Sequence, residues 1–202
     1  ETAFSMTEET RRFVADLVWN NRDFLEFYTS NATFINGDIA SLYGMKTSSD
    51  DFTRAAYPEG CGRAGIISHA TFLALTSKPS ETSPTARGLF VREQFLCQNV
   101  PQPPPGVNTN LPPQSEETPM TNRERLQVHL NNPSCASCHN LIDPIGLGLE
   151  KYDGVGAFRK DLTLRIPSFD RKKESHSVSV PIDSRGWVAG IDGSEFETPA
   201  QL

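Results

Sequence analysis

The sequence predicts a mainly α-helical protein with a small β-hairpin region towards its C-terminal end. Apolar residues recur at helical spacing through most of the first hundred positions, which favours several short amphipathic helices. Seven prolines fall between residues 101 and 119, and this density excludes a helix or a central strand there. Apolar and polar residues alternate in 162–166 and 178–182, which predicts two short strands.

The 202 residues divide into four predicted segments. Residues 1–58 form an N-terminal helical module at the end of a larger domain, and 59–118 form a helical hairpin followed by a proline-rich connector. Residues 119–160 form a module that carries a chemical motif, and 161–202 form the small β region. The chain begins at Glu1 without an initiator methionine, so we expect either a processed protein or, as we favour, a piece of a longer polypeptide.

Residues that start and stop helices place the individual elements. Ser5 and Glu8 have the S-x-x-E spacing of a capping box, which predicts a helix starting there. A second helix is predicted over 37–43, with Gly44 as its stop. The capping-box spacing recurs at 121–124 and predicts a short helix just before the motif.

The hairpin prediction rests on two apolar stretches of about equal length, 63–75 and 83–97. A short proline-containing turn separates them. If the two helices are antiparallel, Cys61 and Cys97 come to the same end of the hairpin.

The motif is Cys135-Ala136-Ser137-Cys138-His139, which has the C-x-x-C-H spacing of c-type haem attachment. Two thiols three positions apart can each add to one vinyl group of the same porphyrin. The next residue, His139, then lies beneath the iron and can serve as its proximal ligand. The sequence therefore predicts one covalent haem c on Cys135 and Cys138.

Three alternatives compete with this interpretation. A zinc site would need two further ligands at close spacing, whereas Cys61 and Cys97 are isolated. A thioredoxin-like pair would need a βαβ context, which this region lacks. Coincidence is the third alternative, and four cysteines and four histidines make it rare in 202 residues.

Composition limits the partners. A net charge of −6 and a pI near 5.2 argue against nucleic acid, because phosphate binding requires a basic face. No apolar run is long enough to span a bilayer. An acidic surface suits a basic redox partner protein, whose identity the sequence does not reveal.

Several short segments resemble large secreted haem proteins of planctomycete and myxobacterial type, a multi-module c-type cytochrome family with domains of unknown function. The matching segments are Arg63-Ala64-Gly65-Ile66-Ile67, Phe72-Leu73-Ala74-Leu75-Thr76-Ser77, Thr82-Ser83-Pro84, the proline run, Arg123-Glu124-Arg125-Leu126, Cys135 to His139, Asp143-Pro144-Ile145-Gly146, Leu149-Glu150-Lys151-Tyr152-Asp153 and Pro181-Ile182-Asp183. Residues before Tyr57 resemble the module that precedes these in the family. The resemblance implies a haem-bearing bacterial protein exported to the periplasm or beyond. It also implies that the remainder of its own polypeptide continues past Leu202.

The sixth iron ligand is left open by the sequence. No methionine follows His139, although small cytochromes c commonly place their distal methionine there. The candidates are Met120, His129, His69 and His176, or no protein ligand at all. Methionine would raise the reduction potential and histidine would lower it, while a vacancy would allow ligand binding or peroxide chemistry.

Supporting residues can also be proposed. The Asp143-Pro144 turn is the nearest acceptor for the second ring N–H of His139. Tyr152 and Phe158 are candidate haem-packing aromatics, with ordinary core packing as the alternative. Arg159 is a candidate partner for a haem propionate, with a surface position as the alternative.

A disulfide between Cys61 and Cys97 follows from the haem prediction. The haem occupies the other two cysteines, and thiols oxidise in an exported protein. The predicted hairpin brings this remaining pair together. The alternative is two free cysteines that pack as small apolar side chains.

Three functions fit these observations. The leading one is one-electron transfer by a c-type cytochrome with six-coordinate iron. The second is a peroxidase- or oxygenase-like haem enzyme with an open distal site. The third is an interaction module in which the haem mainly stabilises part of a surface assembly.

Overall fold

The computed structural model describes most of the chain as two compact units. The described residues are 1–47, 49–103, 105–106, 111–112, 119–166 and 176–202. The side chains that are not described within these ranges are those of Val128, His129, Arg165, Ile166 and His176. Unit 1 comprises 1–83, 152–158 and 196–202, and unit 2 comprises 84–151 and 159–195. Among the described residues, no helix combines the length and the apolar character that crossing a bilayer requires.

Unit 1 is built around an N-terminal helix and a two-stranded sheet. Its elements are α1 (Thr2–Trp19), α2 (Glu26–Thr29), β1 (Ala32–Ile35), α3 (Gly37–Tyr43), β2 (Thr53–Ala56), a 3₁₀ turn (Ile66–Ser68) and α4 (Ala70–Leu75). Strands β1 and β2 are antiparallel, with Ala32 opposite Ala56 and Ile35 opposite Thr53. Helix α1 packs against β1, α3 and α4.

The two helices predicted within residues 1–58 had different outcomes. Helix α3 has the predicted bounds, and Gly44 ends it in the left-handed conformation with φ of 66°. The capping box at the start of α1 was wrong, because this helix begins at Thr2. Ser5 is therefore a buried residue inside α1, and its hydroxyl donates to Asp38 Oδ2 at 2.7 Å.

A buried polar cluster lies at the centre of unit 1. The carboxylate of Glu9 accepts hydrogen bonds from the hydroxyls of Tyr43, at 2.7 Å, and Thr33, at 2.8 Å. Burial raises the pKa of Glu9 to about 7. His69 is fully enclosed beside it, with its Nε2 4.0 Å from Glu9 Oε1, and burial lowers the pKa of His69 to about 3. Two ionisable groups with opposite shifts therefore share one core.

Unit 2 carries the C-x-x-C-H motif. Its elements are α5 (Pro84–Phe90), a π-helical turn (Val91–Phe95), α6 (Asn122–Leu130), α7 (Pro133–Leu147), β3 (Asp161–Ile166), β4 (His176–Pro181) and β5 (Gly186–Trp187). A further two-residue strand, β6 (Glu195–Phe196), follows at the boundary of the units. Strands β3 and β4 are antiparallel, with Asp161 opposite Pro181, which confirms the predicted strand pair. Much of the predicted proline-rich connector lies outside the described residues.

The predicted helical hairpin is divided between the two units, and both of its helices are shorter than predicted. Its first helix shortens to α4, and its second ends as an α-helix at Phe90, with α4 in unit 1 and α5 in unit 2. Gly65 accounts for part of this difference. It has φ of 51°, and a Cβ there would lie 2.3 Å from the carbonyl oxygen of Tyr28. A regular helix cannot pass through such a residue, so the chain makes a 3₁₀ turn before α4.

The two cysteines of the predicted disulfide lie in different units of the structure. Cys61 belongs to unit 1 and Cys97 to unit 2, and both are free thiols. Cys97 is exposed and has φ of 53° just after the π-helical turn. The disulfide and the free-cysteine alternative therefore both stay predictions.

Helices α5 and α7 pack with their backbones in contact. A Cβ on Gly88 would lie 1.8 Å from the carbonyl oxygen of Ile142, and a Cβ on Gly146 would lie 1.8 Å from that of Pro84. Only glycine allows such an approach at either position. These two glycines therefore hold the motif-bearing helix directly against α5.

Candidate functional site

Helix α7 begins immediately before the cysteines. The side chain of Asn132 accepts a hydrogen bond from the Ser134 N–H at 3.0 Å, and Pro133 occupies the first turn. Asparagine at the N-cap followed by proline is a favourable helix start. The asparagine side chain accepts a hydrogen bond from a backbone N–H of the first turn, and proline has no N–H that would need a partner there. The sequence around the motif therefore folds it onto a helix rather than a loop.

Helix α6, which precedes the motif, has the predicted N-terminal cap. The Thr121 N–H donates to Glu124 Oε2 at 2.7 Å, and the Glu124 N–H donates to Thr121 Oγ1 at 3.3 Å. This reciprocal pair is the predicted capping box and confirms it. Helix α6 ends at Leu130, three residues before α7 begins.

The motif residues share one face of α7. Positions three and four apart on an α-helix are neighbours, so Cys138 and His139 lie one turn beyond Cys135. All three residues are partly buried, and the His139 side chain is 22% exposed. Exposed residues, Ser137 and Asn140, flank this face. The arrangement leaves two thiols and an imidazole accessible on the same side of the helix.

A buried carboxylate supports His139 from within the same helix. Nδ1 of His139 lies 2.8 Å from Oδ2 of Asp143, one turn later, and this hydrogen bond raises the pKa of His139. Asp143 is only 2% exposed, and its Oδ1 accepts a hydrogen bond from the Thr85 hydroxyl at 2.8 Å. The predicted role of Asp143 as the acceptor for His139 is confirmed. Asp143 and Pro144, however, lie inside α7 rather than in a turn.

These residues fit a covalent haem. A metal-bound histidine usually donates its other ring N–H to a carboxylate or a carbonyl, and Asp143 occupies that position behind Nδ1. Nε2 is then the nitrogen suited to iron. The two thiols precede this imidazole on the same helical face, as attachment to two vinyl groups requires.

The part of the chain that the structure describes contains no set of ligands for a different kind of metal centre. Within that part, no three histidine, cysteine, aspartate or glutamate side chains form a group that could hold a metal ion. A c-type haem needs one protein ligand and two thioethers rather than such a cluster.

His69, one candidate for the sixth iron ligand, lies in the core of unit 1. His69 is fully buried there, with Nδ1 at 3.1 Å from Thr10 Oγ1 and Nε2 at 3.3 Å from Thr33 Oγ1. His69 is therefore a core histidine whose two ring nitrogens both have hydroxyl partners.

The other candidate sixth ligands stay predictions. Met120 is partly buried just before α6, in the same unit as His139. His129 lies within α6, and His176 begins β4, but the side chains of both are outside the described part.

The predicted haem aromatics belong to unit 1. Tyr152 is fully buried, and its hydroxyl donates to the carbonyl oxygen of Cys61 at 3.1 Å. It forms an isolated β-bridge and an edge-to-face ring contact with Phe158. The Arg63 guanidinium lies 4.7 Å from the centre of the Tyr152 ring. Tyr152 therefore packs in the core of unit 1, and the proposed haem contacts of Tyr152 and Phe158 stay predictions.

Arg159 is held by Glu150 in unit 2. Its Nε donates to the carbonyl oxygen of Glu150 at 3.0 Å, and its Nη2 lies 3.4 Å from the Glu150 carboxylate. The same carboxylate accepts from Asn122 Nδ2 at 3.0 Å and lies 3.7 Å from the buried Arg87. Arg159 thus belongs to a polar network at the C-terminal end of α7, and its proposed contact with a propionate stays a prediction.

Thr85 is the residue of the site that the sequence did not indicate. It lies 58 positions before Asp143, in α5, and a threonine in the first turn of a helix is unremarkable by itself. Only the close approach of α5 and α7 at Gly88 and Gly146 brings its hydroxyl to Asp143. Neither capping signals nor motif spacing could have found this contact.

Comparison with protein families assigns two segments of the chain. Residues 63–162 match the family PSCyt3, described as a protein of unknown function (DUF1588). Residues 1–45 match the family PSD4, also described as a protein of unknown function (DUF1592). Both are domains of the cytochrome-c-like family found in planctomycete and myxobacterial proteins. No curated protein and no solved structure gives a significant match.

Proposed function

We propose that this chain is a c-type cytochrome module that transfers single electrons through one haem bound covalently to Cys135 and Cys138. His139 is the proximal ligand of the iron. The observation that carries the proposal is the arrangement on α7. Two thiols and an imidazole share one partly buried face, and the buried Asp143 lies 2.8 Å behind the imidazole.

Attachment requires only the two thiols and the two vinyl groups of the porphyrin. Each cysteine sulfur forms a bond to one vinyl carbon, and the thiol hydrogen ends on the other carbon of that vinyl group. No atom leaves and no external oxidant is consumed. The spacing of Cys135 and Cys138, one helical turn apart, allows both additions to one porphyrin.

The residues around the motif hold and orient the ligand. Asp143 keeps the proton of His139 on Nδ1, so that the lone pair of Nε2 is directed at the metal position. The Thr85 hydroxyl donates to the other oxygen of the Asp143 carboxylate. When bound, the haem supplies a one-electron redox couple whose potential depends on its ligands and surroundings.

We further propose that the module works outside the cytoplasm of a bacterium, in the periplasm or beyond, as part of a longer polypeptide. In bacteria, haem is joined to C-x-x-C-H motifs after export. A net charge of −6 suits a redox partner with a basic docking surface.

The absorption spectrum distinguishes an electron-transfer protein from a haem enzyme. The full chain, exported in a host that matures c-type cytochromes, is expected to have a low-spin six-coordinate spectrum that carbon monoxide does not change. A saturated iron favours electron transfer because no position is open to substrate. A high-spin ferric spectrum with a rapid reaction with peroxide would instead identify a haem enzyme.

The same spectrum identifies the sixth ligand. Met120→Ala or His129→Ala is expected to convert the iron to a form that binds carbon monoxide, whichever residue is the ligand. Met45→Ala is the matched control, because Met45 lies in unit 1. If neither variant changes the spectrum, the ligand comes from elsewhere.

A further inference from the structure

A chain of hydrogen bonds from Thr85 through Asp143 to His139 joins α5 and α7. The Thr85 hydroxyl of α5 donates to one oxygen of the Asp143 carboxylate, and the other oxygen lies 2.8 Å from His139 Nδ1. We propose that Asp143 lowers the potential by making His139 a more electron-rich ligand, and that Thr85, as a second donor to the same carboxylate, moderates this effect. The inference rests on the haem function proposed above.

The carboxylate has a physical reason to affect the iron. An anionic acceptor draws the Nδ1 proton towards itself more strongly than a neutral carbonyl does, which raises the basicity of the opposite nitrogen. A more basic ligand stabilises ferric iron more than ferrous iron, because the ferric ion carries the larger charge. The potential therefore falls as the hydrogen bond strengthens.

Burial makes the contribution of Asp143 larger than that of a surface carboxylate. Asp143 is 2% exposed, so water screens its charge little. It lies in the buried C-terminal half of α7, where Ile142, Pro144 and Ile145 are buried as well. Its two oxygens are directed to two different partners, His139 and Thr85.

Thr85 acts on the same carboxylate from the other side. Its hydroxyl donates to Oδ1 and so draws negative charge away from the oxygen that faces His139. Removing that donor leaves more charge for the hydrogen bond to His139. Loss of the Thr85 hydroxyl and loss of the Asp143 charge should therefore move the potential in opposite directions.

The test is a redox titration of the purified haem-bearing full chain and of three variants. Asp143→Asn is expected to raise the potential, with about a tenfold change in the ferric-to-ferrous ratio at a fixed applied potential, which is about 59 mV for one electron. Thr85→Val is expected to lower it by a smaller amount. Thr85→Ser, which keeps the hydroxyl, is expected to restore the original value.

One control tests whether the loss of a negative charge alone shifts the potential, and a second comparison covers a variant that fails to fold. Asp161→Asn removes the same charge from an exposed position of unit 2 and is expected to leave the potential unchanged. If Asp143→Asn does not accumulate, the other two variants still test the proposal. The potential should be lower in Thr85→Val and unchanged in Thr85→Ser.

Two failures can be told apart. A chain without covalent haem would contradict the proposed function before any potential is measured. A haem-bearing chain in which Thr85→Val and Asp143→Asn both keep the original potential would overturn only the role assigned to Thr85 and Asp143. Shifts of the same sign in both variants would also overturn it.

Discussion

Replacing Gly146 with alanine is expected to lower the free energy of unfolding by about 3 kcal/mol or more, near the upper end of overpacking costs. The added Cβ would lie 1.8 Å from the carbonyl oxygen of Pro84, and that oxygen belongs to a backbone that cannot rotate away. The helices α5 and α7 must separate to make room. The intrinsic preference of helices for alanine over glycine, about 1 kcal/mol, is too small to offset this clash.

Chemical denaturation followed by circular dichroism measures the loss. Gly88→Ala should behave like Gly146→Ala, since its Cβ would meet the carbonyl oxygen of Ile142 at the same separation. Gly37→Ala is the matched control, because the nearest atom to its Cβ is Asp50 Oδ1 at 3.9 Å. Equal stability of the Gly146→Ala and Gly37→Ala chains would show that α5 and α7 are not packed as described.

The second large effect concerns pH and the buried pair of Glu9 and His69. The pKa of Glu9 is raised from 4.5 to about 7, so its contribution to stability is complete below pH 4.5 and is lost as the pH rises to about 7. The pKa of His69 is lowered from 6.5 to about 3, so its contribution is complete above pH 6.5 and is lost as the pH falls. Between pH 4.5 and 6.5 the two slopes have opposite signs and largely cancel.

Glu9→Gln should remove one of these slopes and expose the other. The free energy of unfolding of this variant is expected to rise with pH between 4.5 and 6.5, by about 3 kcal/mol over the window at 1.4 kcal/mol per unit. The original chain should show little change from these two groups. Urea denaturation at half-unit intervals measures both profiles.

The matched control for this pH experiment is Glu59→Gln. Glu59 is an exposed carboxylate of the same unit, and its replacement should leave the pH profile of the original chain unchanged. Parallel profiles for Glu9→Gln and the original chain would mean that Glu9 keeps an ordinary pKa in the folded state. The buried cluster would then be more hydrated than its geometry indicates.

Local signals predicted those parts of the fold that depend on neighbours in sequence. Helix α3 ends where Gly44 can take a left-handed conformation, and the capping box at 121–124 satisfies its own backbone groups. The pairing of β3 with β4 follows from alternating side chains on both strands. The C-x-x-C-H spacing is also a local pattern, because two thiols and an imidazole fall within five residues, and the haem that it predicts stays a prediction.

Tertiary contacts decided the parts that the sequence did not predict. Ser5 has the spacing of a cap, yet its hydroxyl bonds to Asp38 from inside a longer helix. Tyr152 follows the motif closely in sequence, but the chain returns to unit 1 there and buries the ring beside Arg63. The Thr85 contact depends on the two glycine positions that bring α5 against α7, and no local pattern reports such a distance.

The most direct test of the account is the mass of the exported full chain after acid–organic extraction. Two thioethers survive this treatment, so the polypeptide is expected to carry the mass of one haem, with Cys61 and Cys97 as its alkylatable thiols after reduction. The double variant Cys135→Ser with Cys138→Ser should lose that mass and serves as the control. A polypeptide with the mass of the bare chain, in which Cys135 and Cys138 both react with the alkylating reagent, would contradict the central claim.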